Sequence, residues 1–168
     1  DSKAAGKWET QDKRNPKLKG EYYAAGVGGA LAGRGADLFI IDDPHSEQDA
    51  MNPKSMDDTY DWYTSGPRQR LQPGGAIVIV MTRWNINDLT GRLLKDAARD
   101  PKADQWEVIE LPAILPSGKA LWPEYWKLEE LESVKASLRG GPKWHAQYMQ
   151  NPTSEEGALI KREWWMEW

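Results

Sequence analysis

Four apolar residues, Leu38-Phe39-Ile40-Ile41, run directly into Asp42, Asp43 and Pro44. An unbroken apolar run of this length suits a strand buried on both faces, as in a parallel sheet. Proline cannot donate to a ladder, so the strand ends before Pro44. Two carboxylates are thereby left at the carboxyl end of a central strand, where open α/β sheets place their ligands. Adjacent carboxylates repel each other and resist desolvation, and a divalent cation or a water network relieves both costs.

A second run, Ala76-Ile77-Val78-Ile79-Val80-Met81, is β-branched and uncharged, and ends on Thr82-Arg83-Trp84. Each run is followed by a polar stretch and then by helical periodicity. After the first, His45 to Pro53 reads as a loop, and Ser55-x-x-Asp58 as a capping box. Met56, Tyr60 and Tyr63 then share one helical face, with Trp62 beside it, until Gly66-Pro67 interrupts. Pro73-Gly74-Gly75 reads as a turn. After the second run, Asn87 caps a helix to about Ala98, with Ile86, Leu89 and Leu93 on one face. The βαβα order with right-handed crossover sets the strands parallel and brings Thr82 and Arg83 beside Asp42 and Asp43.

On chemistry alone, Asp42 is a candidate metal ligand and Asp43 a candidate base or water-orienting group. The alternative is that one caps the next turn and the other is solvated. Arg83 suits a phosphate or charge-relay contact, or else a salt bridge to one of the two aspartates. His45 and His145 are the only histidines and lack ligand spacing, so both read as ordinary residues.

The remaining segments are less patterned. Residues 1–20 are polar, with Trp8 and Leu18 as the sizeable apolar anchors. Lys13, Arg14, Lys17 and Lys19 form a basic cluster there, which reads as a solvated loop or hairpin, with nucleic-acid contact as the other reading. Residues 21–28 suit a strand running into glycines. Gly28-Gly29-Ala30-Leu31-Ala32-Gly33-Arg34-Gly35 has the spacing of a phosphate-binding loop. However, arginine stands for the lysine, glycine stands for the hydroxyl residue, and an apolar strand follows where a helix is needed. We read it as a tight turn that positions Arg34 near the sheet end. Trp106–Leu111 is a third, weaker strand closed by Pro112. From Pro116 onward proline and glycine recur, with one helix over about 129–138 and a shorter one over 142–150. The sequence divides at this change, into 1–115 and 116–168.

The 168 residues can hold one ordinary domain, or one domain and a tail. A net charge of −4 argues against a generally basic nucleic-acid binder but leaves room for a local basic face. The absence of cysteine removes disulfides and thiolate metal sites. No apolar run approaches the roughly 20 residues of a membrane helix, and no signal-peptide pattern opens the chain. Ten tryptophans against one phenylalanine point to rings partly buried in the core and under loops.

Several segments together resemble a known family. Residues 33–44, from Gly33-Arg34-Gly35 through Asp42-Asp43-Pro44, look like the Walker B region of the large terminase subunits of tailed bacteriophages. Gly74-Gly75 through Thr82-Arg83-Trp84, followed by Asp88-Leu89-x-Gly91-Arg92-Leu93-Leu94, resembles that family's strand, coupling motif and following helix. Leu111-Pro112-Ala113-Ile114, Leu121-Trp122-Pro123 and Gln147-Tyr148-Met149-Gln150-Asn151-Pro152 are similar to its segments joining ATPase to nuclease. The likeness runs in order over about residues 20–165.

The resemblance implies an α/β fold. It would be a partial P-loop NTPase core of the ASCE type, mainly a parallel sheet flanked by helices, carrying a largely helical or irregular C-terminal connector. It implies a part of an ATP-driven DNA-packaging motor, with ATP and Mg²⁺ as cofactors of the complete protein. By that analogy Asp42 helps hold Mg²⁺ and Asp43 stands where a glutamate orients the attacking water. Thr82 and Arg83 form the nucleotide-sensing coupling motif. The implied partners are double-stranded DNA, a small terminase subunit, a portal protein and further copies in a ring, with no membrane. The implied location is the host bacterial cytoplasm rather than the mature virion. The Walker A segment and the nuclease acids of the family have no counterpart in these residues. The chain therefore reads as the distal half of an ATPase with its connector, inactive alone and with apolar sheet surface uncovered. The competing readings are a metal-dependent nuclease using Asp42 and Asp43, and a non-catalytic interaction remnant.

Overall fold

The computed structural model describes residues 6–17, 19–29, 31 and 33–153. The expectations for Leu18 and for Trp164, Trp165 and Trp168 lie outside them. The basic N-terminal segment is a hairpin: β1 (Lys7–Gln11) pairs antiparallel with β2 (Lys19–Tyr23), and Trp8 lies opposite Tyr22. The second strand therefore starts earlier than residues 21–28 suggest, because its lysine and glycine are extended by pairing. Gly33, at φ 75°, makes the turn expected of the glycine run. Arg34, two residues before β3 (Ala36–Asp42), turns its side chain to the hairpin, where it pairs with Glu21 and lies 4.2 Å from the centre of the Tyr23 ring.

The two apolar runs pair as expected. β3 (Ala36–Asp42) and β4 (Leu71–Val80) are parallel, in register from Leu38 opposite Ala76 to Asp42 opposite Val80. Pro73-Gly74-Gly75 is not a separate turn. It lies inside β4 at a break in register between Ala36 and Leu38, with Gly74 at φ 81°. The ladder resumes on both sides, so the proline and the left-handed glycine are absorbed as an irregularity.

Between the strands lie α1 (Glu47–Ala50), α2 (Pro53–Ser65) and α3 (Pro67–Arg70). The capping box is not Ser55 with Asp58. Ser46 and Asp49 form one for α1, Asn52 caps α2, and the Ser55 hydroxyl donates to Asp49 at 2.9 Å. Proline is favoured at the first helical turn, so α2 starts at Pro53 and puts Ser55 inside it. After β4 comes α4 (Leu89–Arg99), capped by Asp88 rather than Asn87.

One sheet face packs on these helices. Phe39, Ile41, Ile77, Ile79 and Met81 meet Tyr63, Leu89 and Leu93 in the first core. The expectation of burial on both faces fails. Ile41 is 3% exposed, but Ile40, on the opposite face, is 59% exposed, and Leu38, Val78 and Val80 lie open beside it. Apolar sheet surface is thus uncovered on this face.

Trp106–Leu111 is not a third strand. A ladder needs a partner about 4.7–4.9 Å away. Here a groove of about 820 Å³ separates the segment from β4, lined by Ile77, Ile79, Val80, Trp106 and Val108. The described sheets are two-stranded, so the architecture is mixed α/β with one parallel and one antiparallel pair.

Beyond Pro112 a second core forms around Ala120, Leu131 and Trp144. It is built by α5 (Leu128–Ser137), α6 (Pro142–Gln147) and a bridge between Ile114 and Ala120. Trp144 stacks on Tyr148 with ring centres 4.9 Å apart. Of the other tryptophans, Trp62, Trp84, Trp106 and Trp126 are half-buried, whereas Trp8 and Trp122 are exposed. No described helix is long and apolar enough to cross a membrane.

Candidate functional site

The parallel pairing of β3 and β4 brings their carboxyl ends together. The Asp43 N–H donates to the Val80 carbonyl at 2.8 Å, carrying the ladder one residue past Asp42. Asp43 then takes a left-handed backbone, φ 40°, which is uncommon for a side chain with a Cβ. That conformation costs on the order of 1 kcal/mol or more and persists only where its surroundings hold it. Here it turns the carboxylate toward β4, and the Thr82 N–H donates to its Oδ1 at 3.1 Å. The expected meeting of the Asp42-Asp43 tip with Thr82 is therefore present.

Asp42 is exposed, and its carboxylate takes no hydrogen bond or ion pair among the described residues. Mg²⁺ commonly keeps several waters and uses one or two protein carboxylates. The Asp42-Asp43 tip offers two adjacent carboxylates, both on exposed residues. No cluster of three or more acids, histidines or cysteines suited to a metal occurs among the described residues. A two-metal centre would need more carboxylates than this.

Arg83 follows Thr82 at the strand end, but its side chain does not pair with Asp42 or Asp43. Its Nε donates to both oxygens of Asp88, at 3.1 and 3.0 Å. Asp88 is fully buried and also accepts the Gly91 N–H at 2.8 Å as the cap of α4. The salt bridge left open for Arg83 therefore exists, but to a third aspartate. Gly91 is required in this clamp, since a Cβ there would fall 2.2 Å from the Ile86 carbonyl oxygen. Arg83 is placed to fix the loop between β4 and α4. Its backbone N–H, in turn, donates to Gln150 Oε1 at 3.3 Å, which joins the C-terminal module to the strand tip. Gln150 also has a left-handed backbone, φ 53°.

His45 is more than an ordinary residue. It is 3% exposed, and its Nε2 accepts the Leu89 N–H at 3.0 Å, so it ties the end of β3 to the start of α4. Burial pushes its pKa below the usual histidine value, against the opposing pull of Asp88 and Asp49. His145 lies on α6, remote in sequence from this contact.

Asp88, Gln150 and His45 escape a reading by residue type. Asp88 and Asn87 are both good caps, and only the true helix start separates them. Gln150 and His45 act through contacts 67 and 44 residues away.

Comparisons with protein-family models, with curated proteins and with solved structures return no match.

Proposed function

We propose that this chain is the Walker B and coupling-strand half of the ATPase of a DNA-packaging motor, of the kind found in the terminase large subunits it resembles. The observation that carries the reading is the hydrogen bond from the Thr82 N–H to Asp43 Oδ1, which joins the two strand ends. Phosphoryl transfer rests on positioning, so such an ATPase needs the strand bearing the metal acid held against the strand sensing the nucleotide. Asp42 would hold Mg²⁺, whose charge would help neutralise nucleotide phosphates. Asp43, one methylene shorter than glutamate, would orient a water. Arg83 would act through Asp88 on α4.

Two further features support the reading. The open apolar face of β3 and β4 and the groove beside β4 provide room for one more strand, the place a phosphate-loop strand would need. The 168 residues contain no Gly-x-x-x-x-Gly-Lys-Ser/Thr, so the phosphate cradle that Asp42 and Asp43 would serve is not among them. Small and portal subunits, ring assembly and the host cytoplasm follow from the same reading.

Mn²⁺ titration followed by NMR tests it. The amides of Asp42 and Asp43 are expected to broaden selectively, and Asp42→Asn to abolish the effect. The chain alone is expected to hydrolyse ATP negligibly. Absence of broadening would remove the metal role. Robust Mg²⁺-dependent ATP turnover would refute the half-site, and metal-dependent DNA cutting abolished by Asp42→Asn would favour a nuclease instead.

A further inference from the structure

The hairpin of β1 and β2 has no core of its own. Every described residue from Lys7 to Gly28 is exposed. Trp8 is 57% exposed and faces Tyr22 across the ribbon, with ring centres 4.6 Å apart. An isolated two-stranded hairpin is marginal in water, so a ribbon this open gains from a partner surface. Its loop is nonetheless defined: Asp12 Oδ1 accepts the N–H groups of Arg14 at 2.6 Å and Asn15 at 3.2 Å, and Gln11 Nε2 donates to the Pro16 carbonyl at 2.9 Å.

Charge identifies the partner. Residues 7–34 carry six basic side chains (Lys7, Lys13, Arg14, Lys17, Lys19 and Arg34) against three carboxylates (Glu9, Asp12 and Glu21), in a chain whose net charge is −4. Lys7 and Arg34 are spent on Glu9 and Glu21. Lys13, Arg14, Lys17 and Lys19, at the loop, have no ion-pair partner among the described residues. A cluster of unpaired cations on an otherwise acidic molecule is the electrostatic footprint of a polyanion. A two-stranded ribbon fits the major groove of B-form DNA, where loop cations can reach the flanking phosphates. The deep, narrow major groove of duplex RNA excludes side chains.

We propose that this hairpin is a duplex-DNA-binding arm, with the ribbon in the major groove and Lys13, Arg14, Lys17 and Lys19 on phosphates. The choice of DNA also rests on the packaging reading given above. Binding through these four cations is independent of sequence, as suits a duplex that must slide.

Fluorescence anisotropy of a labelled 30-base-pair DNA duplex, titrated with the 168-residue chain across a salt series, tests the arm. Four phosphate contacts give a slope of log affinity against log salt of about −3.6, or roughly a hundredfold loss between 50 and 200 mM. Replacing all four cations with alanine is expected to weaken binding at least tenfold and flatten the slope. Arg14→Ala alone, a loop change that leaves the strand pairing intact, is expected to reduce the slope by about one. Unchanged affinity and slope in both variants would overturn the proposal. Equal or tighter binding of duplex RNA would overturn the groove assignment. The titration contains neither metal nor nucleotide and reads nothing at Asp42. Failure here therefore leaves the ATPase reading intact, and failure of the Mn²⁺ test leaves the arm intact.

Discussion

His45 follows directly on the Asp42-Asp43-Pro44 tip, and its neutral form is the one the fold uses. Its Nε2 accepts a hydrogen bond from Leu89, and protonation would remove that acceptor. Its pKa is lowered by burial first, with Arg92 adding to the shift and Asp88 and Asp49 opposing it. The unfolded chain takes up a proton near pH 6.5, whereas the folded chain resists it. The stability linked to His45 is therefore complete above about pH 6.5 and is lost as pH falls from there through the lower folded value. Urea midpoints are expected to drop between pH 7.5 and 5.5, and His45→Gln to shrink that drop. An equal drop in the variant would assign the titration elsewhere. Asp49, held below the usual carboxylate range by its hydrogen bonds with Ser46, falls in a separate and more acidic window. At this scale the meeting of Asp43 with Thr82 was legible, because crossover handedness fixes which strand ends coincide. The partner of Arg83 was not. It depends on whether α4 begins after Asn87 or after Asp88, a shift of one residue between two equally good caps.

Among the elements, β3 and β4 were legible and Trp106–Leu111 was not, for one physical reason. Apolar β-branched runs prefer an extended backbone whatever lies beside them, but a strand exists only when a second edge meets it. The same distinction separates the two faces of the sheet. Ile41→Ala removes a side chain from the first core and is expected to cost about 2–5 kcal/mol in urea unfolding. Ile40→Thr, one residue away on the open face, is expected to stay within about 0.5 kcal/mol and to reduce binding of a hydrophobic dye. Equal costs at the two positions would mean that the open face is covered in solution. The run Leu38-Phe39-Ile40-Ile41 cannot reveal this asymmetry, because four apolar residues in succession carry no alternation.

At the scale of the whole molecule the described residues form two cores, one under β3 and β4 and one under α5 and α6, with the β1–β2 hairpin outside both. The sequence places a change of character at Pro116, whereas the second core also takes in Ala113 and Ile114 ahead of it. The groove between β4 and residues 106–111 had no sequence signal, because a space between elements belongs to no residue. Native-state hydrogen exchange is expected to rank the parts: hairpin amides fastest, the Asp100–Leu111 segment next, and the buried amides of α4 slowest. Hairpin protection equal to that of β4 would show that the ribbon is covered.

The left-handed turn at Gln150 has a mechanical consequence. The second core packs around Ala120, Leu131 and Trp144 and does not include Arg83. The side-chain amide of Gln150 nevertheless reaches across to the backbone of Arg83, and an exposed Lys143–Glu47 pair at 2.6 Å also ties α6 to α1. Losing that amide in Gln150→Ala is therefore expected to speed exchange at the Arg83 backbone N–H, and unchanged exchange there would show that the contact carries no constraint.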